Sequence, residues 1–268
     1  MANELVTYEE KWAAAGRTFV EREKATAQTL SISGGVLKLG DDEIEGNQLC
    51  AVILDSVFIN SYYDQKWEPG QTALPPKCFA IAVDDEDLAP HPAMEGSSYF
   101  VPQHDQCADC AFNKYNSADT GRGKACGNRR RLAIIPAGFY EKRKGSRSEF
   151  DVEIITDEAH YKTADMLQLT LPVTSGKEYA KYVKNAMSEF GRPPFGLVTR
   201  IYIEHGGQNQ FTVKFETLDA LPNEFFDIIM PRHEAARKEI MEPYQEPDAE
   251  ALEKPRANNR LAGLRKSR

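Results

Sequence analysis

Long apolar runs are missing from this chain of 268 residues. No segment approaches the roughly 18 consecutive apolar residues of a membrane-spanning helix. The start, Met1–Leu5, has neither the basic nor the apolar region of a secretory signal. We therefore expect a protein that is not secreted and has no membrane partner. Hydrophobic residues nevertheless make up 41% of the chain, which is enough for a core and excludes wholesale disorder.

Cysteine is also scarce, and catalytic motifs are absent. Five cysteines, an odd number, do not make a disulfide framework, and in the reducing compartment that this implies, clustered thiols more often bind metal. The five histidines are scattered, and no G-x-S-x-G, H-E-x-x-H or paired-aspartate pattern occurs. Residues 118–125 are not a P-loop, because Ala118 and Ala125 occupy its first glycine and its Ser/Thr position. We expect no enzymatic activity.

The charges are acidic in total but segregated along the chain. The net charge of −8 argues against a simple basic nucleic-acid-binding protein. Segments 84–95 and 242–253 each contain five acidic residues and no Lys or Arg. Segment 122–147 instead contains nine basic residues and one acidic residue, and 255–268 adds five basic residues without any acid. Because a surface attracts its partners through the charges within a Debye length, the sequence predicts a local basic surface.

The apolar and turn patterns predict a mainly β (α+β) protein. Strands are expected at 36–39, 50–60, 78–83, 131–137, 150–156, 166–173, 197–203 and 211–215. A capping box at Ser175 predicts a helix that ends before Gly191. A second helix is expected over 225–241, with a break or kink at Pro231. One helix between strands of an antiparallel barrel is typical of the OB-fold, which is the architecture we expect, with peripheral helices at both termini.

We expect three parts along the chain. Residues 1–33 are predicted to be an N-terminal helical arm, residues 34–242 the OB-fold core, and residues 243–268 a flexible, charged tail. Within the core, residues 84–130 show no periodicity and are rich in Pro, Gly, Asn and Asp. A long irregular insert needs something other than an apolar core to fix it.

Four cysteines frame that insert and predict a zinc knuckle. They are Cys78, Cys107, Cys110 and Cys126. Two of them form a C-x2-C pair, which directs two thiolates at one ion, and tetrahedral zinc accepts four. Such a site has no position open for water, so we expect one structural zinc ion per chain. His104 or His91 can take the place of Cys78, and the alternative for the whole set is buried free thiols. Cys50 lies in an apolar strand and is expected in the core.

Basic and aromatic residues are interleaved around the cysteines. In a single-strand site, bases stack on aromatic rings while Lys and Arg contact the phosphates. The alternative is a solvated run of charges beside aromatic core residues. The candidate DNA-binding residues are Tyr62, Tyr63, Trp67, Tyr115, Arg122, Lys124, Arg129, Arg130, Arg131, Tyr140, Lys142 and Arg143.

Several of these motifs together resemble a family of tailed-phage early proteins. The likeness covers roughly residues 35–218. Its motifs are Asn60 and Trp67, Pro-Pro-x-Cys at 75–78, Cys107-x-x-Cys110-x-x-Asn113, Asn116-Ser117, Gly121-x-Gly123-Lys124-x-Cys126, Arg130-Arg131-Leu132 and Leu171-Pro172-x-Thr174-Ser175. The resemblance implies an OB-fold protein that binds single-stranded DNA during replication or recombination, in the cytoplasm of an infected bacterium. Many single-strand-binding proteins end in an acidic tip, whereas here an acidic segment precedes a basic terminus.

The expected partner is therefore single-stranded DNA, bound without sequence specificity. Replication or transcription proteins are further candidate partners through the charged C-terminal tail. The leading alternative is a zinc-containing phage transcription regulator that contacts RNA polymerase, with or without binding of single-stranded DNA. A nuclease is the third alternative, and the missing carboxylate constellation argues against it.

Overall fold

The structure is a computed structural model that describes residues 28–65, 74–146, 149–206 and 211–248. Residues 1–27 of the predicted N-terminal arm lie outside these ranges, as do Trp67 and residues 249–268. The strands are β1 (Gln28–Ser33), β2 (Val36–Leu39), β3 (Asp42–Glu43), β4 (Gln48–Tyr62), β5 (Cys78–Ala82), β6 (Cys126–Pro136), β7 (Gly138–Lys142), β8 (Phe150–Ile154), β9 (Leu167–Leu171), β10 (Leu197–His205) and β11 (Phe211–Ala220).

Three α-helices accompany the strands in the described ranges. They are α1 (Glu158–Thr163), α2 (Gly176–Asn185) and α3 (Phe226–Ile240). A π-helical turn, Ala186–Phe190, continues α2 and ends at Gly191, whose positive φ of 64° closes the helix as the sequence predicts. The predicted capping box at Ser175 is wrong: the Ser175 hydroxyl accepts a hydrogen bond from the backbone N–H of Val213 (2.9 Å) and so ties the start of α2 to β11. No helix in the described ranges is long and apolar enough to cross a membrane.

In the described part of the chain, nine strands form one curled sheet, an open half-barrel. Their order is β11-β10-β4-β6-β9-β1-β2-β3, and β5 pairs with the second half of β4. All pairings in this sheet are antiparallel except that of β1 with β9, while β7 and β8 form a separate two-stranded ribbon. The prediction of a mainly β (α+β) protein is confirmed, and the narrower OB-fold assignment stays a prediction.

The long strand β4 is buried on both faces, as its continuous apolar sequence predicts. Its residues Val52 and Leu54 join a core with α3, whereas Ala51 and Ile53 join a second core with α2. We call these two sides of the sheet the α3 face and the α2 face. The pairing of β4 with β6 shifts register between Ile53 and Asp55, a β-bulge that bends the strand. Cys50 is fully buried in the α3-face core, which confirms that prediction.

Both ends of the described chain extend the packed unit beyond the predicted boundaries. Strand β1 lies inside the predicted arm 1–33, because residues 28–30 pair with β9. Residues 243–248 lie inside the predicted tail, yet the rings of Tyr244 and Phe79 are in edge contact at 5.1 Å. The Glu246 carboxylate accepts hydrogen bonds from the Ser98 hydroxyl (2.8 Å) and the Tyr99 N–H (3.0 Å). The packed unit therefore runs at least from residue 28 to 248.

Candidate metal centre and nucleic-acid interface

Strand register places two of the four cysteines on either side of Tyr62. Cys78 on β5 is opposite Tyr62 along one edge of β4, and Cys126 on β6 is opposite it along the other edge. Residues that stand opposite each other in neighbouring strands project from the same face of a sheet. Both thiols therefore lie on the α2 face, at the end of β4, where the insert covers the sheet.

The C-x2-C pair reaches this place through a loop organised by Asn113. The Asn113 amide donates a hydrogen bond to the carbonyl of Cys107 (2.7 Å), and its backbone N–H donates to the carbonyl of Cys110 (3.0 Å). Its side-chain oxygen accepts hydrogen bonds from Lys124 and Asn128, each at 3.0 Å. One asparagine thus links the thiol pair to the basic loop and to β6, which gives a physical role to the Cys110-x-x-Asn113 spacing.

All four cysteines line one small cavity. Its volume is about 20 Å³, which is room for a single ion or one water molecule. Cys107, Cys110 and Cys126 are each at most 9% exposed, and Cys78 is half-buried. Burial raises the pKa of Cys78 and Cys107, and it raises the pKa of Cys126 to about 12. A divalent cation in the cavity would supply the positive charge that thiolates need.

The donor chemistry fits zinc, but the thiols are not already at ligand distances. Among the described residues, no group of three or more Cys, His, Asp or Glu side chains has metal-ligand geometry. The set nevertheless has four soft sulfur donors around a cavity for one ion, which is the composition of a closed structural zinc site. Zinc therefore stays a prediction.

The two candidate histidines occupy different places. The His91 ring stacks on Phe79 at 5.3 Å, and its Nδ1 accepts a hydrogen bond from Ala93 N–H (3.1 Å). Phe79 belongs to the α3-face core, and His91 is not among the residues that line the cysteine cavity, so its role as a ligand stays a prediction. His104 lines the cysteine cavity and remains an alternative to Cys78.

The predicted aromatic residues differ in how they are exposed. Tyr62 stacks on Phe112, with ring centroids 4.3 Å apart, so it is part of the packing of the insert. Tyr115 is 71% exposed, and Tyr63 is 44% exposed. Burial raises the pKa of Tyr63, and the nearby positive charge of Arg129 acts in the opposite direction. Of the predicted aromatic residues that the structure describes, Tyr63 and Tyr115 are therefore the exposed ones.

Basic residues of the loop are exposed, and those of β6 are divided between the faces. Arg122, Lys124 and Arg129 are exposed to solvent. Alternation along β6 directs Arg129 and Arg131 to the α3 face and Arg130 to the α2 face, since Arg130 is opposite Phe58 on β4. The Arg130 guanidinium lies over the Phe58 ring at 3.6 Å.

Arg131 does not belong to a DNA-binding surface. Its side chain is buried, and the guanidinium donates hydrogen bonds to the carbonyls of Ile240 (2.9 Å) and Glu242 (3.1 Å). These carbonyls follow the end of α3, where a cation satisfies unpaired acceptors and the helix dipole. We therefore correct the prediction for Arg131 and assign it to packing.

Tyr140, Lys142 and Arg143 lie far from the knuckle. They belong to β7 and the residue after it, at the opposite end of β6, whose 11 residues span about 30 Å at 3.3 Å per residue. Arg143 is bonded to Asp151 and, at 3.1 Å, to Glu149. Tyr140 is half-buried, with a hydroxyl that lacks a hydrogen-bond partner in the described part of the chain. The predicted interface is thus two separate groups of residues.

Two polar contacts near the knuckle were missed by sequence reasoning. Asn128 donates to the side-chain oxygen of Asn60 across the β4–β6 pair. Lys77 lies over the ring of Tyr99 at 4.5 Å. The spacing from Cys110 to Asn113 was an available signal for the first network, but nothing in the sequence pairs Lys77 with Tyr99.

Comparisons with protein-family models, curated proteins and solved structures found no match. The function of the chain therefore has to be inferred from the placement of its own residues. At the knuckle end of the sheet, that placement combines buried thiols, exposed cations and exposed aromatic rings.

Proposed function

We propose that this chain binds single-stranded DNA without sequence specificity, in replication or recombination of the phage type, and that it is not an enzyme. The observation that supports this proposal is the composition of the knuckle surface, which we define as Tyr63, Tyr115, Arg122, Lys124 and Arg129. All five side chains are exposed at the knuckle end of the sheet. Tyr115, Arg122 and Lys124 belong to the insert that carries the cysteine pair, and Arg129 projects from the α3 face of β6 at the same end. This surface combines the two components of a single-strand site.

The knuckle surface suits a strand of any sequence. Every base has a π-face that stacks on an exposed tyrosine, and every nucleotide brings a phosphate that a guanidinium or ammonium group can contact. The curled sheet and the long, bent β4 are compatible with the OB-fold architecture that commonly carries such sites. The acidic net charge of −8 weakens attraction elsewhere on the protein, so binding is concentrated where cations cluster.

In this proposal zinc is structural. Cys78, Cys107, Cys110 and Cys126 would hold it, and the ion would fix the loop that carries Tyr115, Arg122 and Lys124. A preorganised loop loses less conformational entropy when it binds a ligand. The cysteines therefore serve DNA binding through the position of the knuckle, without contact to the nucleic acid.

A salt-dependent titration tests the proposal. Fluorescently labelled oligo-dT and a duplex of equal length are titrated with the full chain, and anisotropy is recorded from low to moderate salt. We expect tighter binding of the single strand and a fall in affinity with salt, because each phosphate contact releases about 0.7 counterion on a single strand. A mixed-sequence single strand should bind within a few-fold of oligo-dT. Preference for the duplex, or no binding of either probe at low salt, would reject the proposal.

A further inference from the structure

A second feature of the structure is a cleft beside the bulge of β4, lined by residues from both the α2 face and the α3 face. Its volume is about 460 Å³, within the range of small-molecule pockets. It is bounded by the bulge, by helices α2 and α3, and by the turn that contains Pro193 and Pro194. The polar and aromatic residues that line it are Asp55, Ser56, Arg130, Tyr179, Lys184, Phe195, His233 and Arg237. The knuckle surface contains none of these residues.

The charges in the cleft are predominantly positive. Three cations, Arg130, Lys184 and Arg237, face one carboxylate, Asp55. Arg237 is committed to that carboxylate, with its Nε 2.8 Å from Asp55 Oδ2. The negative charges of Asp84 and Asp85, which do not line the cleft, attract Arg237 and Arg130 respectively. In the described ranges Lys184 makes no hydrogen bond or ion pair, so Arg130 and Lys184 are the groups that an anion in the cleft would meet.

Arg130 is held in place before any ligand arrives. Its guanidinium donates a hydrogen bond to Ser56 Oγ (3.2 Å) and lies 3.6 Å above the Phe58 ring and 5.5 Å from the Tyr179 ring. A guanidinium has five N–H donors, and the bond to Ser56 uses one of them. A stacked arginine with spare donors is well suited to a phosphate, which it can bind through two parallel hydrogen bonds.

The same cleft has an aromatic wall. The ring of Phe195 packs against His233 with centroids 4.8 Å apart and the two planes tilted by 35°, and the buried Tyr179 lies on the α2 side. The Nδ1 of His233 is fixed by contact with the carbonyl of Leu54 (2.7 Å). A base that enters would therefore meet a prepositioned aromatic side chain, Phe195. Cations on one side and rings on the other match the two halves of a nucleotide.

Arg130 also connects the cleft to the knuckle. Cys126, Asn128 and Arg130 alternate along β6 and share the α2 face. From Cys126 to Arg130 the strand rises about 13 Å at 3.3 Å per residue. A DNA strand bound at Lys124 therefore needs only a few nucleotides to span the distance to the cleft.

We propose that this cleft is a nucleotide subsite, which binds one nucleoside-phosphate unit with its phosphate on Arg130 and Lys184 and its base against Phe195. This proposal rests on the proposed function when the bound unit is part of a DNA strand. A free mononucleotide has the same chemistry and is the other source of the ligand. The subsite lengthens the binding path beyond the knuckle and gives one nucleotide an enclosed position.

Helix α2 supplies a matched pair of variants. Lys184 lines the cleft, whereas Lys181, three residues earlier and equally exposed, lines a different depression beside Tyr202. Removal of either lysine changes the net charge by the same amount. We expect Lys184→Ala to weaken oligo-dT binding several-fold and to lower the slope of log K against log salt by about 0.7, while Lys181→Ala changes neither by a comparable amount.

Three further measurements make every outcome decisive. Titration calorimetry of the full chain with dTMP tests binding of a free nucleotide. Ultraviolet crosslinking of oligo-dT followed by mass spectrometry tests contact of the strand with Phe195 or Tyr179. Circular dichroism confirms that both lysine variants fold. Crosslinks in the cleft together with the lysine difference support the subsite. If oligo-dT binds normally to both variants, or both lose affinity equally, and no crosslink falls in the cleft, the subsite is rejected and the proposed function stands. If dTMP binds through Lys184 while oligo-dT does not bind, the proposed function is rejected and a free-nucleotide site remains. Absence of binding by either probe rejects both.

Discussion

Replacement of Arg131 by methionine separates a packing arginine from a DNA-binding one. Methionine keeps the apolar stem of the side chain but removes the two hydrogen bonds to the end of α3. Ile240 is fully buried, so its carbonyl would lose its donor without access to water. An unsatisfied buried acceptor costs about 1–3 kcal/mol. The carbonyl of Glu242, an exposed residue, can be rehydrated at little cost.

Loss of the cation at the helix terminus adds a second contribution. A positive charge near the last turn stabilises a helix by about 0.3–1 kcal/mol, and by up to about 2 kcal/mol where it is partly buried. Together the two effects predict that Arg131→Met lowers the free energy of unfolding by about 1–5 kcal/mol. Urea denaturation followed by circular dichroism measures this loss directly.

Arg129→Met is the matched control for this experiment. Arg129 lies two residues earlier on the same face of β6 but is exposed, so its replacement should change stability by no more than about 0.5 kcal/mol. The binding assay should show the reverse order: folded Arg131→Met binds oligo-dT like the unchanged protein, and Arg129→Met binds more weakly. An Arg131→Met protein of normal stability and reduced DNA affinity would refute the assignment of Arg131 to packing.

Four other outcomes follow from the same structure. Zinc is expected at one ion per chain by elemental analysis, and Cys126→Ser should lose the ion and unfold at lower temperature; metal-free purified protein would contradict this. Tyr115→Ala should weaken oligo-dT binding by about 1–3 kcal/mol with an unchanged salt slope, and an unchanged affinity would remove this ring from the interface. The double replacement Arg122→Ala and Lys124→Ala should lower the salt slope by about 1–1.5, whereas a merely solvated face would leave it intact. Hydrogen bonds, first from the Ser98 hydroxyl, lower the pKa of Glu246, so the stability that it contributes is present above the ordinary glutamate pKa and is lost as the pH falls through the lowered pKa. Glu246→Gln should therefore reduce the fall in the free energy of unfolding at acid pH, as measured by urea titration at several pH values.

Much of the sheet could be predicted because burial on both faces leaves a continuous apolar run. Strand β4 is the example: it was expected over 50–60 and extends over Gln48–Tyr62. Strand β1 was missed because its apolar alternation contains two residues, Leu30 and Ile32, of which only Leu30 is fully buried. Its place in the sheet depends on the parallel pairing with β9, a contact between residues about 140 positions apart.

In the candidate site too, some residue positions are set by the local sequence and others by contacts between distant parts of the chain. The cysteine cluster could be anticipated because a C-x2-C turn brings its two thiols together through local geometry. The three consecutive arginines 129–131 could not be assigned to faces of the sheet, because the face of each is set by its register with β4 rather than by the local sequence. Tyr140 is only nine residues after Arg131, yet the extended strand between them carries it to the far end of the sheet.

The irregular insert also protects an edge of the sheet. Within the described ranges, β5 pairs along one side with β4 and with no other strand. On its other side, the backbone N–H of His91 donates to the carbonyl of Phe79 (3.0 Å), and that of Val101 donates to the carbonyl of Lys77 (2.8 Å). The insert thus occupies backbone acceptors that an exposed edge strand would offer to solvent.

An uncovered edge strand is a template for pairing with another copy of the same chain. Strand β5 is short but apolar, with Phe79, Ala80 and Ile81 in succession, which is the composition that favours strand addition between molecules. A chain whose insert has opened would therefore be prone to self-association. The insert thus also guards the protein against aggregation.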